Sequence, residues 1–146
     1  MQYAFDSSTL VTWILQEQHW QAIDRLLGRS DAEPMLPGPA LAEVIHVARR
    51  KGNASPPAQI RLMLMAQGIT IVHPDDDLVR AAELLEASDA NPGPEHPVTR
   101  RRATLSLADA MILAICEQHG WTVVTRDQHW EWFAQQGHTG AKVSTI

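Results

Sequence analysis

The chain lacks the features of a disulfide-stabilised or membrane-spanning protein. It has one cysteine, Cys116, among 146 residues, so no internal disulfide can form. No apolar run approaches the roughly 20 residues that span a bilayer. The N-terminus has no basic stretch and carries Asp6 inside its apolar part, which is atypical of a signal peptide. We therefore predict a soluble, cytoplasmic protein in which Cys116 is a buried, reduced hydrophobic residue.

Net positive charge is also absent. The formal charge is −5 and the pI is near 5.7, which argues against binding nucleic acid through a general basic field. Half of the 12 basic residues lie in two triplets, Arg49–Lys51 and Arg100–Arg102, so a local basic strip remains possible. With 45% hydrophobic residues the chain has enough apolar material for a core, and we predict a single domain over residues 1–146.

Short apolar strands alternate with helices along the chain. The predicted strands are Gln2–Phe5, a very short one around Met35–Leu36, Ile69–Val72, Trp121–Thr125 and an edge strand Lys142–Thr145. The predicted helices run to about Gln16, over Trp20–Leu27, Ala40–Arg50 and Pro57–Ala66, from Asp75 to about Ala87, over Leu107–His119, and after Asp127. Ser88–Ala103 is rich in proline and predicted to be irregular. This α/β alternation predicts a parallel sheet covered by helices on both faces, with sites beyond the carboxyl ends of the strands.

Four acidic residues occupy positions that suit such a site. Asp6 and Asp127 each follow a short hydrophobic strand, although a cap or turn role explains either one alone. Glu43 is flanked by apolar residues, and the alternative is a charge at the edge of a buried helix. Asp109 follows Ser106 at the spacing of a capping box, before an apolar helix.

The conjunction of the four acids is more informative than any one of them. Clustered carboxylates repel each other, so their cluster needs cations or shared protons. Hard oxygen ligands suit Mg²⁺ or Mn²⁺, which also bind phosphate oxygens and activate water. The spacing therefore indicates metal-dependent phosphodiester hydrolysis.

The order and spacing of these motifs resemble those of the PIN-domain family. The residues that carry the resemblance are Asp6 with Ser7 and Ser8, the Glu43 helix, Leu107-Ala-Asp109-Ala and Val124-Thr-Arg-Asp127. Within that family the chain is most similar to VapC-type toxins of bacterial toxin–antitoxin pairs.

The resemblance implies an α/β/α sandwich with a central parallel sheet of four or five strands. It implies an endoribonuclease that uses Mg²⁺ or Mn²⁺, forms a homodimer and is inhibited by a small antitoxin protein. The metal-binding catalytic acids would be Asp6, Glu43, Asp109 and Asp127, supported by Thr125, Ser7 and Ser8. The Pro-rich segment Asn91–Pro97 departs from a compact family member, so substrate choice cannot be carried over.

Other side chains are weaker candidates for substrate contacts. Arg126, between Thr125 and Asp127, and the triplet Arg100, Arg101 and Arg102 are placed to contact RNA phosphates, although solvated loop charge explains the triplet equally well. Trp130 and Trp132 can stack on a base, but core packing or a partner interface is the more common use of such residues.

Three alternative functions remain open. A receiver-like phosphoacceptor domain shares the α/β architecture, and the acidic run Asp75–Asp77 follows a predicted strand. A catalytically inert PIN-like module would only bind protein, which the presence of all four acids argues against. A structure-selective DNA nuclease would use the same metal chemistry on a different substrate.

Overall fold

The structure, a computed structural model, describes residues 1–75 and 77–146. In this part of the chain the strands are β1 (Gln2–Phe5), β2 (Glu33–Pro37), β3 (Thr70–Val72), β4 (Thr122–Thr125) and β5 (Lys142–Thr145). They form one sheet in the order β3-β2-β1-β4-β5, with every neighbouring pair parallel. The predicted central parallel sheet is therefore confirmed, and it has five strands.

The helices lie between these strands. They are α1 (Ser7–Ile14), α2 (Trp20–Leu27), α3 (Gly38–Arg50), α4 (Pro57–Ala66), α5 (Leu78–Ala90), α6 (Leu107–His119) and α7 (Gln128–Gln135). The chain adds β2 and β3 on one side of β1, then returns to add β4 and β5 on the other. With right-handed connections, this reversal places α1–α4 on one face and α5–α7 on the other, as in the predicted α/β/α sandwich. No helix in the described ranges is long and apolar enough to cross a membrane.

The core surrounds the two central strands. Tyr3, Ala4 and Phe5 of β1 are buried, as are Val123 and Val124 of β4, because helices cover both faces of the sheet. Helix α6 is buried along most of its length, including Ile112–Cys116. The buried Cys116 matches its predicted role as a hydrophobic residue, and burial raises the pKa of its thiol.

Adjacent strands β1 and β4 mark the point where the direction of strand addition reverses. Parallel sheets form a crevice there, because the connections from the two strands leave toward opposite edges. The chain is fastened at this point: the amide of Asp6 donates to the carbonyl of Val124 at 3.0 Å, and Thr9 Oγ1 donates to the same carbonyl at 2.8 Å. The residue after β1 is therefore held against the end of β4.

Some element boundaries differ from the predictions. Strand β2 extends over Pro34 and Pro37, because the extended backbone of proline still fits a parallel strand. Helix α5 begins at Leu78 and not at Asp75; the amide of Asp75 donates to the side chain of Asp77 at 2.7 Å, which is not a helical hydrogen bond. The same helix continues to Ala90, so the irregular segment begins at Asn91.

Candidate active site

Asp6 occupies the crevice and is only 4% exposed. Its Oδ1 accepts the amide of Ser7 at 2.7 Å, while Oδ2 accepts the hydroxyls of Ser8 at 2.7 Å and Thr125 at 2.9 Å. Burial nevertheless raises the pKa of Asp6 above its ordinary value, and nearby Glu43 raises it further. Asp6 is thus a carboxyl oriented by three hydrogen bonds whose donors, among the described residues, are all neutral.

Two more acids share this environment. Ser7 Oγ donates to Glu43 Oε2 at 2.6 Å and so connects α1 with α3. Asp109 lies in the first turn of α6, where its Oδ2 accepts the amide of Ser106 at 2.9 Å in the predicted capping box. Burial raises the pKa of Asp109 to about 6, and the charges of Asp6 and Glu43 contribute to the rise. Asp6, Glu43 and Asp109 therefore form an acid cluster. Asp6 follows β1, Glu43 lies in the first half of α3 and Asp109 lies in the first turn of α6.

The acid cluster is not arranged as a closed metal cage. Within residues 1–75 and 77–146, no three His, Cys, Asp or Glu side chains are grouped closely enough to hold a metal ion. Each acid of the cluster instead accepts a hydrogen bond from a serine: Asp6 from the hydroxyl of Ser8, Glu43 from the hydroxyl of Ser7 and Asp109 from the amide of Ser106. The donor set, carboxylates and hydroxyls only, still matches the hard oxygen chemistry of Mg²⁺ and Mn²⁺. The raised carboxyl pKa values also fit a region where a cation would relieve repulsion.

Asp127 lies beside the cluster and not inside it. Its amide donates to Thr125 Oγ1 at 3.0 Å, and the same hydroxyl donates to Asp6. The carboxylate of Asp127 caps α7 by accepting the amide of His129 at 2.9 Å. Thr125 consequently links Asp6 to the backbone of Asp127.

Two pockets adjoin these acids. Residues 93–103 form a hairpin around the antiparallel bridge between Glu95 and Arg102. The cavity between this hairpin and α7, which we call the hairpin cleft, has a volume of about 630 Å³ and includes Asp127 in its lining. The basic pocket, of about 340 Å³, includes Ser7 and Ser8 and the charged residues Glu17, Lys51 and Arg126. The acids are therefore flanked by two openings that both contain basic side chains.

Comparison with known sequences identifies the family. The sequence profile of the PIN domain matches residues 3–135, from β1 to the end of α7. The chain belongs to the PIN domain family. None of the curated protein sequences matches the chain.

Solved structures share the fold of this PIN domain over nearly its whole length. A toxin–antitoxin complex from Klebsiella pneumoniae matches with a TM-score of 0.63 and 19% identity, covering 98% of this chain and 96% of that chain. VapBC2 from Rickettsia felis, bound to a promoter DNA fragment, matches with a TM-score of 0.66 and 12% identity over 100% and 99%. VapC20 from Mycobacterium tuberculosis, described as a sarcin–ricin loop cleaving toxin, matches with a TM-score of 0.59 and 15% identity over 83% and 86%. At such identities the likeness shows the fold alone.

Three of the four predicted substrate-contact arginines of the PIN domain line one of the two pockets. Arg126 lines the basic pocket, where its Nη1 donates to Thr12 Oγ1 at 2.8 Å. Arg100 pairs with Glu95 and has a left-handed backbone, φ 61°, within a hairpin. Arg101 and Arg102 line the hairpin cleft. Their role in substrate binding stays a prediction.

Sequence reasoning did not anticipate Lys51 or Glu17. In the sequence, Lys51 appears only as the last residue of the basic triplet Arg49–Lys51. The structure pairs Lys51 Nζ with Glu17 Oε1 at 2.7 Å, next to Arg126. Because these residues are far apart in sequence, no local pattern would have revealed the pair.

Proposed function

We propose that this PIN domain is a metal-dependent endoribonuclease and the toxin of a toxin–antitoxin pair. The observation that carries the proposal is the acid cluster at the strand-reversal crevice, in which Asp6 and Asp109 have raised pKa values. Among the described residues, the hydrogen bonds to the three acids come from hydroxyls and backbone amides and not from basic side chains. A bound cation would reduce the repulsion between the ionised carboxylates of such a site. Membership of the PIN domain family supports a nuclease function for it.

Asp6, Glu43 and Asp109 would hold the metal ion, and Asp127 would join them by turning from its capping position. Mg²⁺ or Mn²⁺, when bound, would polarise the scissile phosphodiester and activate water. The protein orients the acids through hydrogen bonds. Thr125 and Ser8 orient the carboxylate of Asp6 by donating their hydroxyls to its Oδ2.

Ser7 has a corresponding role for Glu43. Its hydroxyl donates to Glu43 Oε2 at 2.6 Å, while its amide donates to Asp6. Ser7 thus fixes the position of Asp6, at the end of β1, relative to Glu43 on α3. Such preorganisation lowers the cost of arranging charged groups around a phosphodiester.

The proposed partners are an RNA substrate, a second copy of the chain and a small antitoxin. The similarity to a toxin–antitoxin complex supports the antitoxin, and the similarity to a toxin described as cleaving the sarcin–ricin loop supports the RNA substrate. The second copy of the chain is proposed from the family resemblance alone. We also propose a cytoplasmic location and a single domain over residues 1–146.

Metal-dependent cleavage of total RNA tests the nuclease assignment. The wild type should cleave RNA in Mg²⁺ or Mn²⁺ and lose activity in EDTA. Asp6→Asn should be inactive while keeping the wild-type circular dichroism spectrum. Asp89→Asn is the matched control, because Asp89 is an exposed acid on α5 that forms no hydrogen bond with the acid cluster. Equal activity of Asp6→Asn and Asp89→Asn would contradict the assignment.

The same assay separates the alternative functions. A folded wild type without metal-dependent activity would indicate the protein-binding module, and preference for DNA of the same sequence would indicate a DNA nuclease. For a receiver-like domain, Asp75 follows the edge strand β3, two strands from Asp6, and Asp76 lies outside the described residues. Labelling by a phosphate donor in Mg²⁺ would be needed to support that alternative.

A further inference from the structure

The hairpin cleft is built from a segment that the proposed chemistry does not use. Residues 93–103 form a hairpin: the amide of Gly93 donates to the carbonyl of Ala103, and the amide of His96 donates to that of Arg101, both at 2.8 Å. An antiparallel bridge joins Glu95 and Arg102. The Pro-rich segment therefore forms an ordered wall of a cavity of about 630 Å³ that includes Asp127 on its lining.

The opposite wall is aromatic. Trp132 lines the cleft and stacks on His129, with ring centroids 5.5 Å apart and an angle of 20° between the rings. Trp130, in contrast, is 1% exposed and belongs to the core. The indole of Trp132 is therefore packed against His129 on one face and is only partly buried.

His129 supplies an independent indication that a ligand belongs here. It lines the cleft and is 8% exposed, yet neither ring nitrogen has a hydrogen-bond partner among the described residues. Gly93 packs so closely against it that a Cβ at that position would lie 2.7 Å from Nδ1. Both nitrogens are covered by protein atoms, and such unpaired polar atoms are unfavourable. A ligand with hydrogen-bonding edges would satisfy them once the imidazole turns toward the cleft.

The hairpin wall is positively charged. Arg101 and Arg102 line the cleft, and neither forms an ion pair within residues 1–75 and 77–146. Arg100 is neutralised by Glu95. Unpaired guanidinium groups that share a cleft with a partly buried aromatic ring match a nucleotide, which combines an anionic phosphate with a planar base.

We propose that the hairpin cleft binds one nucleotide of the RNA substrate, adjacent to the scissile phosphate, with Trp132 stacking on its base and Arg101 and Arg102 contacting its phosphate. The inference rests on the proposed ribonuclease function and adds a subsite to it. Because Asp127 lies on both the cleft and the edge of the acid cluster, a nucleotide in the cleft is placed next to the reacting bond. The cleft therefore contributes to which RNA positions are cleaved.

Kinetics and cleavage mapping on a defined single-stranded RNA test this subsite. Trp132→Ala should raise KM by about tenfold and change the bases flanking the cleavage sites, whereas Trp132→Phe should retain most of the affinity. The double variant Arg101→Ala/Arg102→Ala should weaken binding of all sequences and reduce its salt dependence. The control is Arg25→Ala/Arg61→Ala, which removes two exposed arginines elsewhere and should leave KM unchanged.

A binding assay keeps this inference separate from the proposed function. Asp6→Asn protein, titrated without metal with the same RNA, should bind it and lose about tenfold in affinity when Trp132→Ala is added. Retained Trp132-dependent binding with no cleavage by the wild type would support the subsite and contradict the nuclease. Normal cleavage with unchanged KM and unchanged positions in Trp132→Ala would overturn the subsite. So would variants that cleave normally but escape inhibition by a protein partner, since the cleft would then bind a peptide.

Discussion

Replacing Asp109 by asparagine should stabilise the metal-free protein while removing its activity. The pKa of Asp109 is raised to about 6 by burial and by Asp6 and Glu43, so the folded state disfavours the charged carboxylate. Asparagine keeps an oxygen that can accept the amide of Ser106, so the cap of α6 survives. Only the unfavourable charge is removed.

The magnitude follows from the pKa. A rise from 3.8 to about 6 costs the folded state about 2 to 3 kcal/mol once the carboxyl is ionised. Because the pKa of Asp109 is higher in the folded state, the unfolded chain binds fewer protons between about pH 3.8 and pH 6. The free energy of unfolding therefore falls as the pH increases through this range. The cost of Asp109 is complete above about pH 7, about half as large near pH 5, and absent below about pH 4.

Urea unfolding in EDTA provides the measurement. The free energy of unfolding of Asp109→Asn should exceed that of the wild type near pH 8, and the difference should shrink near pH 5. Adding Mg²⁺ should stabilise the wild type more than the variant, because the ion binds only the folded acid cluster. Asp89→Asn serves as the exposed control and should show neither effect. A variant no more stable than the wild type near pH 8 would refute the argument that Asp109 is held in an unfavourable charged state.

Three further perturbations test individual contacts. Thr125→Ala should lower RNA cleavage in saturating Mg²⁺ by about 10- to 100-fold, because Asp6 loses an orienting hydroxyl, and Thr125→Ser should recover most of it; equal losses would argue against that hydroxyl. Gly93→Ala should lower the free energy of unfolding by about 1 to 3 kcal/mol, because its Cβ would lie 2.7 Å from His129 Nδ1; urea denaturation measures this, and an unchanged midpoint would show that the ring moves freely. Burial opposes the charge of Glu117, but hydrogen bonds from Arg80, Thr139 and Gly140 lower the pKa of Glu117 overall. The ionised side chain therefore stabilises the fold above pH 4.5, and this stabilisation is lost as the pH falls below that value. Glu117→Gln should therefore cost about 1 to 3 kcal/mol near neutral pH and less in acid, and a pH-independent loss would contradict this ion pair.

Local sequence determined most of the secondary structure of this PIN domain. Helix α6 has the predicted bounds because Ser106 caps its start and Gly120, at φ 67°, ends it. The apolar strands β1 and β4 lie where the sequence predicted them, and an acid follows each, at Asp6 and, one residue further on, at Asp127. Signals of this kind depend on neighbouring residues, so they can be read without knowing the rest of the fold.

Tertiary structure decided how those acids are related. The hydrogen bonds from Ser7 to Glu43 and from Thr125 to Asp6 join residues 36 and 119 positions apart. They depend on strand order and register, which place β1 beside β4. The hairpin cleft likewise requires residues 93–103 to pack on α7. Local propensity cannot specify such contacts, because each distance is set by the packing of elements that are remote in the chain.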